Sequence, residues 1–297
     1  MPSAGVYYAI FIFIIDIFGF IGNVFLISLT IINKEFRQNK CSIIIGLIAL
    51  CDGLIELIIT IIMIFHLSGH GFYQHDCFYT LTLLLVINCV QTTLMPILSF
   101  DRLLAILCPF WYQSVNARSY LLIAFVPILM YSSVAVTMGY VFMDTDHSVS
   151  VCTLPSALNT ITYNLWNKIS LTLTSVMIVV YLTACLMLWI KAKKQSSVSL
   201  KTQITVMKTV LFIVIYYICT WFVCQMLNLV KEVLSTMDYI STETAFIVIL
   251  VSGVAAHLCY AGNFYIYMWR SELYREAFKK LWKKKVRTKT SVVLIKY

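Results

Sequence analysis

Charged residues are scarce in this chain, and that scarcity excludes most classes of soluble protein. Asp, Glu, Lys and Arg make up 12% of the 297 residues, whereas 61% of the residues are hydrophobic. So few polar side chains cannot cover the surface of a globule in water. The sequence also lacks an internal repeat and a cofactor motif. The composition therefore predicts an integral membrane protein.

Seven apolar segments are each long enough to cross a bilayer, which takes about 20 mostly apolar residues in a helix. The breaks between them are short, so the sequence predicts an all-α membrane protein with a seven-transmembrane helix bundle. The bundle would occupy residues 1–269, and a tail, residues 270–297, would follow it. The predicted spans are about 7–32, 41–67, 77–103, 119–142, 163–190, 205–230 and 244–269.

Basic residues are sorted to one side of these spans. All but Lys168 and Lys231 of the 22 Lys and Arg residues lie in or beside loops 33–40, 104–118 and 191–204 or in the C-terminal segment. Cytoplasmic loops retain Lys and Arg, so the N-terminus is predicted outside and the C-terminus inside. The net charge of +9 then describes an inner face that attracts anionic lipid or an acidic partner. Its basic residues are too dispersed for binding nucleic acid.

Most of the ten cysteines lie within spans, where a free thiol behaves as a small hydrophobic group. Two do not: Cys77 opens the third span at the outer surface, and Cys152 lies in the longest outer loop. That compartment is oxidising, so we predict a disulfide between them. The alternative is two unpaired thiols. A disulfide would restrain the outer loop above the bundle.

Three polar residues lie at membrane depth: Asn23 in the first span, Asp52 in the second and Asn263 in the seventh. An unpaired polar group is costly there, so we expect the three to meet as an intramembrane polar network. The alternative is that each asparagine bonds a neighbouring backbone carbonyl.

The inner end of the third span carries a motif. The run DRLLAILCPFWY places Asp101 and Arg102 24 residues after Cys77, with Pro109 and Tyr112 in the loop that follows. This arrangement resembles the third helix and second inner loop of rhodopsin-like G-protein-coupled receptors.

The seventh span extends the resemblance. Its run from Asn263 to Tyr267 is similar to the Asn-Pro-x-x-Tyr of those receptors, with Phe264 in place of proline. Over about residues 22 to 282 the chain more closely resembles the nematode serpentine chemoreceptors of class sx (Srsx). The residues that carry this resemblance are Cys41, Ser42, Leu50, Cys51, Asp52, Cys77, Phe78, Trp221, Phe222, Tyr267, Trp269, Arg270, Ser271, Tyr274, Arg275, Ala277 and Phe278.

The resemblance implies a switch that acts on a G protein. Asp101 would hold Arg102 at rest, and separating or protonating the pair would free the guanidinium. Tyr181 and Tyr267 would then bring their hydroxyls toward Arg102; the alternative for both is an anchor at the membrane interface. The chain departs from the wider family in having Leu103 where an aromatic residue is usual. It also lacks proline in spans five to seven, so a proline hinge in the sixth helix cannot be carried over.

The resemblance also implies a ligand site among the outer halves of the third, fifth, sixth and seventh spans. Leu84 stands where amine receptors carry an acid, which disfavours an amine ligand. The polar candidates are neutral, and each could instead bond a neighbour in its own helix. His257 could contact the ligand, Asp16 or Glu56. The candidates are Leu84, Leu85, Asn88, Trp221, Gln225, Asn228 and His257.

The tail begins with an amphipathic pattern. Leu273, Phe278, Leu281 and Trp282 form an apolar stripe beside a basic face. A short cytoplasmic helix of this kind would lie on the inner leaflet, in contact with membrane lipid. The alternative is a solvated charged tail, which the Phe and Trp of the stripe disfavour. No metal or cofactor is expected, since the histidines between 66 and 75 follow no established metal-site spacing.

Together these features predict a chemosensory G-protein-coupled receptor for a small molecule. It would be a multi-pass plasma-membrane protein of a sensory neuron or cilium that signals to a heterotrimeric G protein. Whether it forms a homo- or hetero-dimer is left open. A neuropeptide receptor of the same fold is the alternative. A transporter is disfavoured because no repeat is present, and an enzyme because no catalytic constellation is present.

Overall fold

The computed structural model describes residues 2–67, 72–143, 148–149, 152–194, 198–237, 239 and 241–281. Two short strands accompany the helices, β1 (Phe72–Tyr73) and β2 (Ser148–Val149). Between α9 and α10 the chain continues as a π-helical segment, Ile218–Phe222. The helices are α1 (Pro2–Ile32), α2 (Lys34–Gln38), α3 (Lys40–Leu67), α4 (Gln74–Leu107), α5 (Pro109–Ser114), α6 (Ala117–Val141), α7 (Leu154–Ala157), α8 (Thr160–Lys194), α9 (Val198–Tyr217), α10 (Val223–Thr236), α11 (Thr242–Arg270) and α12 (272–281).

Seven helical stretches in the described ranges are long and apolar enough to cross a membrane, which confirms the predicted bundle. Spans one to five are α1, α3, α4, α6 and α8, span six runs from α9 through α10, and span seven is α11. The apolar stretches are Tyr7–Ile32, Lys40–Phe65, Gln74–Leu107, Ala117–Val141, Thr160–Lys193, Met207–Ser235 and Glu243–Arg270.

Span three is the centre of the bundle. Of its most apolar window, 72% is buried, against 22% to 44% for the other spans. It packs on spans two, four and five. The outward faces of the other spans are apolar, and Ile123 of span four is 71% exposed within the protein. Lipid replaces water around such a face, so exposure of apolar side chains there carries no penalty.

The inner loops contain more helix than the sequence predicts. Span three continues to Leu107, and α5 begins at Pro109. Proline is tolerated in a first helical turn because the backbone N–H of that turn has no helical acceptor. Asn33 and Asn116 cap α2 and α6, each accepting a backbone N–H two residues on, at 3.0 and 3.2 Å. These caps fix where α2, the short helix before span two, and α6, the fourth span, begin.

On the outer side, Cys77 and Cys152 form a disulfide, with Cα atoms 5.5 Å apart. Both cysteines are buried, at 0% and 4% exposure. Beside the disulfide, β1 and β2 pair antiparallel, with Phe72 opposite Val149. The structure therefore contains the predicted bridge and holds the outer loop against the start of span three.

Helix α12 follows span seven directly, and its inward face differs from the predicted stripe. Tyr274 and Ala277 are buried, and Phe278 packs on the bundle, which is the spacing of one helical face. Leu273, predicted to share that face, is 49% exposed. Trp282 and the basic residues after it lie outside the described residues.

Candidate functional site

The inner cluster consists of Asp101 and Arg102 at the end of span three and Tyr112 in α5. Arg102 donates to Asp101 through its Nε, at 2.9 Å from Oδ2, and through a terminal nitrogen. Tyr112 donates its hydroxyl proton to the other carboxylate oxygen, at 2.8 Å, and accepts from Arg102 at 3.3 Å. The Asp101 side chain is fully buried and that of Arg102 is 13% exposed. A buried charge is tolerated only when it is paired and hydrogen-bonded, and here both carboxylate oxygens are used.

Tyr112 can donate a hydrogen bond to Asp101 because its phenol hydroxyl stays protonated. Burial, and to a lesser degree the Asp101 carboxylate, raises the pKa of Tyr112. The phenol therefore keeps its proton and remains a donor to Asp101. The sequence motif included Tyr112, but only the fold of α5 brings its hydroxyl back to Asp101.

The other two predicted switch residues point elsewhere in this structure. Tyr181 is fully buried and donates to the backbone carbonyl of Met207 in span six, at 2.5 Å. The Tyr267 ring stacks on Tyr274 of α12 at 4.7 Å between centroids. These contacts join spans five and six, and span seven and α12, while Arg102 bonds within the inner cluster.

The intramembrane polar network forms in two parts. Asn263 donates to the Asp52 carboxylate at 2.7 Å, so spans seven and two meet as expected. Asn23 donates instead to Glu56, at 3.1 Å, and to the backbone carbonyl of Tyr260, at 3.2 Å. Glu56 was considered only as a partner of His257, yet it lies four residues after Asp52 and so on the same helix face.

His257 bonds Asp16 of span one, with Nδ1 and the carboxylate oxygen 2.6 Å apart. Thr60 donates to the other oxygen of Asp16 at 3.4 Å. Of the candidates for His257, the structure selects Asp16, so the histidine ties span seven to span one. Its side chain is 8% exposed and that of Asp16 is 2% exposed.

The central cluster consists of Asn88, Trp221 and Tyr260, from spans three, six and seven. Asn88 donates to the Tyr260 hydroxyl at 3.0 Å, and the rings of Trp221 and Tyr260 lie 5.8 Å apart. The Asn88 carbonyl oxygen and the Trp221 indole nitrogen are buried without a partner in the described part of the chain. Sequence reasoning missed Tyr260, although it lies three residues after His257 and three before Asn263, on the same interior face.

The remaining ligand candidates have protein partners or lie in the core. Gln225 donates to the Ser170 hydroxyl at 3.1 Å, which joins spans six and five. Asn228 donates to the Cys224 carbonyl of its own helix at 3.0 Å, which is the alternative weighed for these residues. Leu84 and Leu85 are buried, at 3% and 1% exposure, in the packed face of span three.

Span six contains a π-helical segment, Ile218–Phe222, at the place where the sequence offers no proline. Trp221 lies within this segment. Thr220 donates to the Tyr216 carbonyl at 2.7 Å, and Tyr216 donates its hydroxyl to the Leu258 carbonyl of span seven. A π-bulge is a recognised cause of a helix kink and occurs often at functional sites. Nothing in the residue pattern signalled it.

A cavity lies on the inner side of the polar network, beside Tyr267. Asn263, Met95 and Ile213 are among the side chains that line it. It borders both the polar network and the ring of a predicted switch residue. Among the described residues, no group of three or more His, Cys, Asp and Glu side chains is placed to hold a metal ion.

Comparison with known proteins assigns the chain to a family. A search of curated proteins finds no match to the chain. The family model described as "Serpentine type 7TM GPCR chemoreceptor Srsx" matches residues 16–282, nearly the whole length. The match begins within span one and covers the other six spans, the inner cluster and α12. The chain therefore belongs to the Srsx family of serpentine 7TM chemoreceptors.

Proposed function

We propose that this chain is a plasma-membrane chemoreceptor that binds a small uncharged molecule among its outer half-helices and signals to a heterotrimeric G protein. The observation that carries the proposal is the inner cluster, in which a buried Asp101 holds Arg102 at the inner end of the central span. An arginine in this position is a cation whose partner can change.

Signalling would begin when the inner cluster opens. Separating Asp101 from Arg102 frees a guanidinium that can donate to a G-protein segment at the inner surface. Tyr267 would leave its stacking contact with Tyr274 and turn its hydroxyl toward Arg102. Tyr181 would exchange the Met207 carbonyl for the same arginine. Such an exchange supplies two discrete arrangements, as a switch requires.

The surface beside the inner cluster supports a protein partner. Phe110 of α5 is 89% exposed and its neighbour Trp111 is 51% exposed. Both follow Cys108 at the inner boundary, next to the bonded Tyr112. An exposed aromatic pair at the inner surface fits a docking contact with a G protein, where aromatic residues commonly anchor an interface.

The central cluster supports a small ligand that carries no charge. The unpartnered Asn88 oxygen and Trp221 nitrogen offer one acceptor and one donor within a buried aromatic environment. Buried polar atoms are usually hydrogen-bonded, so two unpaired atoms here fit a ligand that supplies the missing partners. The apolar Leu84 lies on the same span and provides no counter-ion for an amine. A buried site of this kind favours a small molecule over a peptide.

Ligand binding would reach the inner cluster through span six. Trp221 lies in the π-helical segment. Its ring packs against the ring of Tyr260, whose hydroxyl accepts a hydrogen bond from Asn88. A shift at Trp221 would change the geometry of this segment, and thereby the direction of the inner half of span six. The π-segment would then serve where other receptors use proline.

The first test is intracellular calcium in cells that express the chain with a promiscuous G-protein α subunit. Small-molecule extracts and amidated peptide pools are applied to wild type, Arg102→Ala and Arg118→Ala. Arg118 is exposed at the start of span four and serves as the matched control. We expect Arg102→Ala to lose the response at unchanged surface expression and Arg118→Ala to keep it. Equal responses from wild type and Arg102→Ala would remove the switch assignment.

The second test uses the active fraction. Asn88→Ala should weaken the response by about tenfold to a hundredfold in half-effective concentration, as loss of one buried hydrogen-bonding group costs about 1–3 kcal/mol. Ser175→Ala is the control, because its exposed hydroxyl in span five bonds a carbonyl of its own helix. An unchanged Asn88→Ala receptor would exclude the central cluster as the ligand site. A fluorescent fusion expressed in its own organism tests the expected location in sensory neurons or cilia.

A further inference from the structure

Lys40 is a buried lysine at the inner surface that is not itself a member of the inner cluster. It is the first residue of α3, where span two begins, and only 7% of it is exposed. A cation at a helix N-terminus is on the unfavourable end of the helix dipole. Burying an ammonium group also costs free energy unless other groups replace its water. Neither helix stability nor solvation therefore accounts for a lysine at this position.

The contacts of Lys40 converge on the inner loop between spans three and four. Its ammonium group donates to the backbone carbonyl of Tyr112. The same group lies over the Tyr112 ring, 4.2 Å from the centroid, and 5.4 Å from the centroid of the Tyr120 ring in span four. The two rings are themselves in edge contact at 6.2 Å. A desolvated cation facing aromatic rings is a strong form of the cation–π interaction.

Tyr112 is therefore held at both ends. Its carbonyl and ring are held by Lys40, and its hydroxyl donates to Asp101 and accepts from Arg102. Without Lys40 the loop would still carry the tyrosine, but its carbonyl and ring would lose these contacts to span two. Since Tyr112 satisfies one of the two Asp101 oxygens, its position affects how stably Asp101 retains Arg102.

We propose that Lys40 is a positioning residue of the receptor: it keeps Tyr112 on the Asp101–Arg102 pair and thereby keeps signalling low when no ligand is bound. The inference rests on the proposed function for its signalling consequence, while its structural part concerns the chain alone. Lys40 acts through Tyr112 and needs no contact with ligand or G protein.

The structural part is tested by hydrogen–deuterium exchange in purified receptor held in lipid nanodiscs. In Lys40→Met the backbone amides of residues 110–114 should exchange roughly thirtyfold faster, as expected on losing one desolvated cation–π contact. Lys40→Arg keeps the charge and the donor and should exchange as wild type. Lys34→Met, an exposed lysine of the same inner loop, is the matched control. Unchanged exchange in Lys40→Met, or equal acceleration in Lys34→Met, overturns the proposal.

The signalling part is tested without ligand, as basal calcium or inositol phosphate per receptor at the cell surface. Lys40→Met should raise the basal signal by roughly tenfold to thirtyfold and Lys40→Arg should not, because a destabilised inactive form shifts the population toward the active one. Tyr112→Phe keeps the ring but loses the hydroxyl, so it should also raise the signal. Its combination with Lys40→Met should be no higher than the greater single variant. A lysine that only stabilises the fold would lower surface expression without raising basal signal.

Asp101→Asn separates failure of the inference from failure of the proposed function. If Asp101→Asn raises the basal signal and Lys40→Met does not, Lys40 has no positioning role and the inference is wrong. If Asp101→Asn is silent as well, the proposed coupling is at fault, and the exchange of the amides of residues 110–114 alone decides whether Lys40 positions Tyr112.

Discussion

Replacing either cysteine of the outer disulfide by serine measures how much the bridge, rather than the helices, holds the outer loop over the bundle. Cys77 and Cys152 are 75 residues apart in the chain. In the chain-entropy model, cross-linking a loop of that length stabilises the folded state by roughly 4.5 kcal/mol. Span four lies within the loop and stays anchored in the membrane when the outer loop detaches, so the loop gains less freedom than a free chain. We therefore expect a loss of about 2–4 kcal/mol from breaking the bridge.

The variants to compare are Cys77→Ser, Cys152→Ser and the double variant. The first measurement is the temperature at which the fluorescently tagged receptor no longer elutes as a monodisperse peak in detergent. The second is the fraction of receptor at the cell surface. Either single replacement removes the whole bridge, so the double variant should be no worse than either single one. Cys108→Ser replaces an exposed free cysteine and should behave as wild type. Additive losses in the double variant would show that the two cysteines contribute separately and would refute the reasoning.

Two further predictions concern the interior and use the same thermal assay. A Cβ atom on Gly262 would lie 2.2 Å from the Tyr216 hydroxyl oxygen, so Gly262→Ala should destabilise the receptor, and adding Tyr216→Ala should recover part of the loss by making room. A loss in Gly262→Ala that Tyr216→Ala does not reduce would contradict this packing. Asp52→Leu leaves the Asn263 amide without its acceptor and should cost about 1–3 kcal/mol more than Asp52→Asn, which keeps an oxygen there. Equal losses in the two Asp52 variants would show that this hydrogen bond contributes nothing.

Membrane insertion explains why so much of the fold could be predicted from the sequence. A helix in hydrocarbon must satisfy every backbone group within itself, so the length and apolarity of each segment suffice to identify a span. The outer disulfide was predictable for a related reason, since topology alone placed Cys77 and Cys152 on the oxidising side. The ends of the helices could be predicted less closely from the sequence. Span three, for example, continues in helix to Leu107, just before the helix that begins at Pro109.

The hydrogen-bond partners of the intramembrane polar residues could not be predicted from the sequence. The cost of an unpaired polar group at membrane depth indicated that Asn23, Asp52 and Asn263 would have partners, but the sequence did not say which. The rotation of span one relative to span two decided that Asn23 bonds Glu56. In the same way, His257 bonds Asp16 because of the face that span seven turns toward span one.

The amino-acid sequence by itself determined the class, the number of spans, their orientation and the motif around Arg102, because each follows from local composition or spacing. Tertiary structure alone decided the central cluster around Tyr260, the π-helical segment that holds Trp221, and the placement of Lys40 on Tyr112. These features depend on how helices distant in sequence rotate and pack against one another. A one-dimensional pattern specifies which face of a helix is polar, whereas the neighbour that meets this face is fixed only by the three-dimensional packing of the bundle.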